Sequence, residues 1–240
     1  GTSWTEVGDL NTARRKFGGD GVQTSAIIAG GHDGSTSGVT ISESWNGSAW
    51  TEVNDLNTAR IANVSAGASN TVSITFGGYN APADANQATT EEWNGSSWTE
   101  MNDLSTARGG LSQAGTATAA LAAGGAPVQT TTEEWNKGEA VGAWASGNSL
   151  NTARSQLAGS GTSTSSIAAG GLIPPNSPTV NVETWDGTSW TEVADLNTGR
   201  YGLKGAGADS TSAVVFGGFT TPPDTTYNNT ETWNGSSWTE

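Results

Sequence analysis

The sequence predicts an all-β fold, a five-bladed β-propeller with four antiparallel strands in each blade. Three observations carry that expectation. A motif ending in Arg recurs at Arg14, Arg60, Arg108, Arg154 and Arg200, spaced by 46, 48, 46 and 46 residues. Trp takes two fixed places in the period, one at Trp45, Trp93, Trp135, Trp185 and Trp233, the other at Trp4, Trp50, Trp98, Trp144, Trp190 and Trp238. A Gly pair closes an apolar run once per repeat, at Gly30-Gly31, Gly77-Gly78, Gly124-Gly125, Gly170-Gly171 and Gly217-Gly218. A fixed period of this length, built from short runs separated by turn signals, is the mark of propeller blades.

Composition alone points elsewhere. Leu, Ile, Val and Phe supply only 34 of 240 residues and the formal net charge is −14, a combination that ordinarily marks disorder. The placement of all 11 Trp at repeat positions overrides it. A disordered chain has no reason to space its largest apolar side chains evenly, and each buried indole removes roughly 200 Å² from water.

The elements follow in order within each period. In the repeat that begins at Arg60, strand A is expected in Ile61–Ser69, strand B in Val72–Gly78, strand C in Thr89–Trp93 and strand D in Trp98–Met101. Asn94-Gly95 between C and D is a two-residue type I′ hairpin signal, repeated as Asn46-Gly47, Asp186-Gly187 and Asn234-Gly235. Strand A is expected innermost. A Gly follows every motif Arg by seven residues, at Gly21, Gly67, Gly115, Gly161 and Gly207, and crowding of five strands at the axis would admit only small side chains there. The repeats span approximately 14–56, 60–104, 108–150, 154–196 and 200–240, the last with 4–10, and form one domain over 1–240.

The apolar run ending in Gly-Gly, an aromatic two residues after a Glu, then Trp and then Arg together resemble the kelch repeat. Kelch proteins usually carry Tyr where all five repeats here carry Trp. The wording EEWNGSSWTE and DLNTAR also resembles Gly/Thr-rich repeats of marine bacteriophage proteins. These resemblances imply a propeller, and a setting on a virion or tail, extracellular or virion-associated, but name no ligand.

Residues 1–6, GTSWTE, nearly duplicate residues 235–240, GSSWTE. The chain thus holds five sets of strands A, B and C but six starts of strand D. An open ring exposes strand edges that invite aggregation. The expectation is that Trp4–Leu10, the full-length copy, completes the last blade. The alternatives are that the last blade uses its own Trp238, or that the chain is a cut from a longer array.

The charged residues divide into repeated and unrepeated. The five motif Arg could form a ring that captures an anion, but the expected role is architectural, each Arg held by a carboxylate and loop carbonyls. Glu43, Glu91, Glu133, Glu183 and Glu231 stand two residues before the first Trp, on the same strand face, and a buried Glu needs such a partner. Five equivalent carboxylates do not resemble the unequal pair of general acid–base chemistry, so no catalytic residue is expected. His32, the one His, stands beside Asp33 in a B–C loop and is read as solvated. Without Cys, neither a disulfide nor a thiolate metal site can form; no metal and no cofactor are expected, beyond weak Ca²⁺ binding by Asp- and Asn-rich loops.

The acidic balance excludes nucleic acid as a natural partner, and no apolar run of 18 residues offers a membrane helix. The repeats differ most in their B–C loops, which alternation places on one face with the D–A loops. That face gathers the candidate binding residues His32, Asp33, Tyr79, Asn80, Asp84, Phe219, Asp224 and Tyr227. Aromatics beside Asp and Asn suit a glycan or a host-surface protein. The expected protein is a non-catalytic binding or structural module, a monomeric propeller domain of a larger protein. A structural spacer or an interaction adaptor is the alternative.

Overall fold

The computed structural model describes residues 3–35, 37–138, 142–220 and 225–240, and within them every element is a strand. Blade one is β1 (Gly18–Val22), β2 (Ser25–Ala29), β3 (Ser42–Trp45) and β4 (Trp50–Val53). Blade two runs through β5 (Val64–Ser69) and β6 (Val72–Phe76), a small hairpin of β7 (Tyr79–Asn80) and β8 (Ala85–Asn86), then β9 (Thr90–Trp93) and β10 (Trp98–Glu100). Blade three is β11 (Ser112–Thr116), β12 (Ala119–Ala123), β13 (Thr132–Asn136) and β14 (Ala143–Gly147). Blade four holds β15 (Ala158–Gly161) and β16 (Ser166–Ala169), the hairpin β17 (Leu172–Ile173) and β18 (Ser177–Pro178), then β19 (Val182–Trp185) and β20 (Trp190–Glu192). Blade five holds β21 (Lys204–Asp209) and β22 (Ser212–Phe216), the hairpin β23 (Phe219–Thr220) and β24 (Thr225–Thr226), then β25 (Thr230–Trp233) and β26 (Trp238–Thr239). Each blade is one four-stranded antiparallel sheet, and the five stand in a ring with their first strands innermost.

The Trp pairs explain the period. In every blade the two Trp stand opposite each other across strands three and four, with ring centroids 5.3 or 5.4 Å apart. The first indole reaches back over the sheet and donates to a carbonyl in the turn between the inner strands, at Gln23, Asn70, Ala117, Ser163 and Ser210. The second reaches the preceding blade: the Nε1–H groups of Trp98, Trp144 and Trp190 donate to Ser42, Thr90 and Thr132 hydroxyls. Blade four has Val182 at the corresponding place, and Trp238 donates to the Ala194 carbonyl instead. The core is therefore shared between neighbours, as where Phe76 of blade two packs edge-on against Trp144 of blade three, 4.7 Å away.

Two expectations change. The last blade takes its fourth strand from its own β26, and residues 4–10 form no strand. Trp4 is 76% exposed and meets blade five only as a ring 5.4 Å from Phe216. The physical reason is locality. β26 follows β25 through the short turn 234–237, in which only Gly235 is left-handed, so the expected two-residue type I′ Asn-Gly turn is not the one formed; recruiting residues 4–10 would instead close a loop of almost the whole chain at greater entropic cost. The inner-strand glycines also have a different cause from crowding at the axis. A Cβ on Gly115 would stand 2.1 Å from the Ala119 carbonyl oxygen, and one on Gly21, Gly67, Gly161 or Gly207 would stand 2.3–2.7 Å from the matching carbonyl of the next strand. That clash lies within each blade's own first hairpin; crowding between inner strands adds to it at Gly67, whose Cβ would also stand 2.5 Å from Asp20 Oδ1 of blade one.

The junction of blade five with blade one differs from the other four. At those four, the second Gly of the pair donates its N–H to the next blade's Arg carbonyl: Gly31 to Arg60, Gly78 to Arg108, Gly125 to Arg154 and Gly171 to Arg200, at 2.8–2.9 Å. Among the described residues no such bond joins Gly218 to Arg14. The inner strands pack closely against one another in succession from β1 through β5, β11 and β15 to β21, and β21 packs far less on β1. Lys204, Ala206 and Gly207 of β21 are consequently exposed, where Val64 and Ala66 in blade two are buried.

Candidate functional site

The repeated charges are consumed by the fold. Each motif Arg turns inward and pairs with the Glu of its own blade: Arg108 with Glu133 at 3.0 Å, Arg154 with Glu183 at 2.9 Å, Arg200 with Glu231 at 2.6 Å, Arg14 with Glu43 at 3.2 Å, and Arg60 with Glu91. All ten side chains are at most 1% exposed. The guanidinium groups of blades two to five also donate to two or three carbonyls each, as Arg108 does to Gly124 and Thr131 at 2.9 and 2.6 Å. The Glu accepts in turn from backbone amides of the entering loop, as Glu183 does from Asn151 and Thr152. Burial lowers the pKa of Arg60, Arg108 and Arg154, opposed by the paired Glu. The motif Arg therefore fastens the loop entering a blade and is closed to ligands.

Immediately after the Arg the geometry repeats and the chemistry does not. Two residues beyond it the backbone is left-handed in every blade, at Lys16 (φ 57°), Ala62 (53°), Gly110 (60°), Gln156 (54°) and Gly202 (66°). A left-handed non-glycine residue costs about 1–2 kcal/mol. Here a ladder around the axis holds it: Ala62 N–H donates to Lys16 O, Gly110 to Ala62, Gln156 to Gly110 and Gly202 to Gln156, at 2.6–2.9 Å. The ladder stops at the fifth junction, where Lys16 N–H and Gly202 O are not joined.

These five residues rim a funnel of about 480 Å³ lined from all five blades, within the range of small-molecule sites. Phe17, Tyr79 and Phe219 bring aromatic surface, and Asn63, Asn86 and Gln156 bring amides. Arg15, Lys16 and Lys204 also line it, and among the described residues no Asp or Glu does. Further along the axis a channel of about 190 Å³ is lined by inner-strand Gly, Ala and Ser with Gln113 and Asp20. Desolvation raises the Asp20 carboxyl to about 7, opposed by a 2.5 Å hydrogen bond from Ser73 Oγ. Its other oxygen has no partner among the described residues. No three His, Cys, Asp or Glu side chains converge among the described residues.

Of the candidate binding residues, Tyr79 and Phe219 line the funnel, Phe219 at 40% exposure. The others stand outside its lining. His32 Nδ1 accepts from Gly34 N–H and Asp33 from Ser35 N–H, which ties that loop to itself and holds the Asp33 carboxyl below its ordinary value. Asp84 accepts a short hydrogen bond from the Tyr79 hydroxyl, which raises the Tyr79 pKa. Asn80 accepts from Ala83 N–H, and Tyr227 N–H donates to Gly218 O. Asp224 lies outside the described residues, as do residues 139–141 of the long turn in blade three. Sequence reasoning missed Arg15, Lys16, Gln156 and Lys204. Aligning the repeats two residues beyond the motif Arg would have found two of them, since that place reads Lys, Ala, Gly, Gln, Gly.

Fold and site together define a β-propeller with a funnel on the face of its B–C and D–A loops. No protein-family profile matches the chain, and no curated protein matches it. Among solved structures it is similar to that of YjhT, with a TM-score of 0.77 and 11% identity, covering 91% of this chain and 81% of that one. A likeness at this identity is one of fold.

Proposed function

We propose that this chain is a non-catalytic binding propeller of the kelch type, which presents its funnel and variable loops to a glycan or protein receptor. The bacteriophage-like wording of its repeats supports a place on a virion or tail. One observation carries the reading. The residues that repeat are spent on the fold, and those that line the funnel occupy a repeated geometry with different side chains in each blade. A rigid scaffold with unlike groups converging on one mouth suits recognition. The repeated carboxylates, each committed to a buried Arg and backbone amides, are poorly placed for acid–base work.

A glycan array and a host-surface pull-down test this, with wild type beside Tyr79→Ala and Phe219→Ala. Binding that the substitutions weaken supports the proposal. Binding that they leave intact places the binding surface away from the funnel and overturns the proposed site, and no binding in either assay makes the chain a structural spacer instead.

A further inference from the structure

The chain has nine Lys and Arg against 23 Asp and Glu. Five of the nine are the buried motif Arg, and Lys137 pairs with Glu92 beside the turn of blade three. The remaining three are Arg15, Lys16 and Lys204. All three are exposed, none has an ion pair among the described residues, and all line the one funnel. Gathering every uncompensated cation of a strongly acidic protein at one mouth that lacks a carboxylate costs like-charge repulsion. It also focuses a positive field where the rest of the surface repels anions. These cations come from blades one and five, between which the ladder is open, and Lys16 N–H has no partner among the described residues. The same lining carries aromatic and amide groups, among them Tyr79, Phe219 and Gln156.

Resting on the binding reading above, we propose that the funnel recognises an acidic sugar, its carboxylate or sulfate held by Lys16, Lys204 and Arg15 and its ring faces by Tyr79 and Phe219. The surrounding protein lowers the Lys204 pKa through desolvation although water reaches the side chain. A bound anion would raise it again. An acidic peptide would also meet the cations but makes little use of the amides and ring faces.

The test is a titration of ¹⁵N-labelled protein with trigalacturonic acid, its methyl ester and a sulfated disaccharide. Wild type is compared with Lys16→Gln, Lys204→Ser and the control Lys137→Gln. The fold already accepts both replacements, as Gln156 and Ser112 occupy the matching places in blades four and three. The acidic sugars should shift the amides of Lys16, Gln156 and Gly202. The ester, Lys16→Gln and Lys204→Ser should each weaken binding about tenfold, the loss of one charge-assisted hydrogen bond. Lys137→Gln, which changes net charge equally, should leave it unchanged. The inference is overturned if the ester binds as tightly as the acid, if neither acidic sugar shifts those amides, or if Lys137→Gln weakens binding as much as the others. Equal binding of ester and acid at these amides would leave the binding reading standing. The absence of any ligand at this face on the array would remove both.

Discussion

Replacing the motif Arg by Met in two different repeats should give two very different losses of stability. In blade two the Arg60 guanidinium donates to the carbonyls of Gly77, Thr89 and Thr58 and pairs with Glu91. Arg60→Met leaves a buried carboxylate without its cation and takes a donor from three carbonyls, of which Thr89 keeps the Gly77 N–H. Breaking one side of a buried pair costs about 3–5 kcal/mol, and Tm in a protein of this size falls about 2–4 °C per kcal/mol, so the midpoint should drop about 6–20 °C. In blade one the same side chain makes only the 3.2 Å contact with Glu43, and its three nitrogens have no hydrogen-bond partner. Glu43 keeps the amides of Asn11 and Thr12 when Arg14 is removed. Arg14→Met also leaves Glu43 without its cation, but it takes a donor from no carbonyl and removes three buried, unsatisfied donors, so it should cost about 1–3 kcal/mol less than Arg60→Met. Urea unfolding followed by Trp fluorescence, with thermal melts of both variants, measures the difference. Equal losses at the two sites would refute the argument that the fifth junction is seated differently. A loss below about 1 kcal/mol at Arg60 would refute the structural role of the pair.

Three further outcomes follow from the geometry. Gly115→Ala should prevent or strongly weaken folding, because the added Cβ meets the Ala119 carbonyl oxygen at 2.1 Å. Near-wild-type melting would count against it. Gly77→Ala should destabilise more than Gly217→Ala although both have φ near +65°. The Cβ at 77 would lie 2.6 Å from the Arg108 carbonyl oxygen, whereas that at 217 meets nothing closer than 3.8 Å, and parallel urea titrations compare them. Asp20 has its folded pKa raised to about 7, so the native state keeps a proton that the unfolded chain releases near pH 4. Its contribution to stability is present below about pH 4 and is lost as pH rises through 7. Asp20→Asn should remove that decline and raise stability at pH 8 by about 1–3 kcal/mol, less than the full shift because channel water reaches the group. Urea midpoints of the two proteins across pH 4–8 that stay parallel would show Asp20 unperturbed.

The sequence by itself determined the blade count, the four-strand composition of each blade and the pairing of indoles across strands three and four. These depend on short-range pattern, and in the repeat beginning at Arg60 the expected strands Val72–Gly78 and Thr89–Trp93 meet the observed Val72–Phe76 and Thr90–Trp93 within two residues. Part of the candidate site was legible for the same reason, since Tyr79 and Phe219 follow directly after a Gly pair whose place the period fixes. Tertiary structure alone decided which of two nearly identical Trp-Thr-Glu segments completes blade five. The two carry the same side chains, so only the entropy of the connection separates them. It alone brought Lys204 into one funnel with Arg15 and Lys16, from the far end of the chain, because the blades stand in a ring. It also showed that the glycines seven residues after the motif Arg avoid a clash within their own hairpin as well as crowding between blades, because a distance to a carbonyl oxygen is set by backbone conformation and leaves no separate trace in composition.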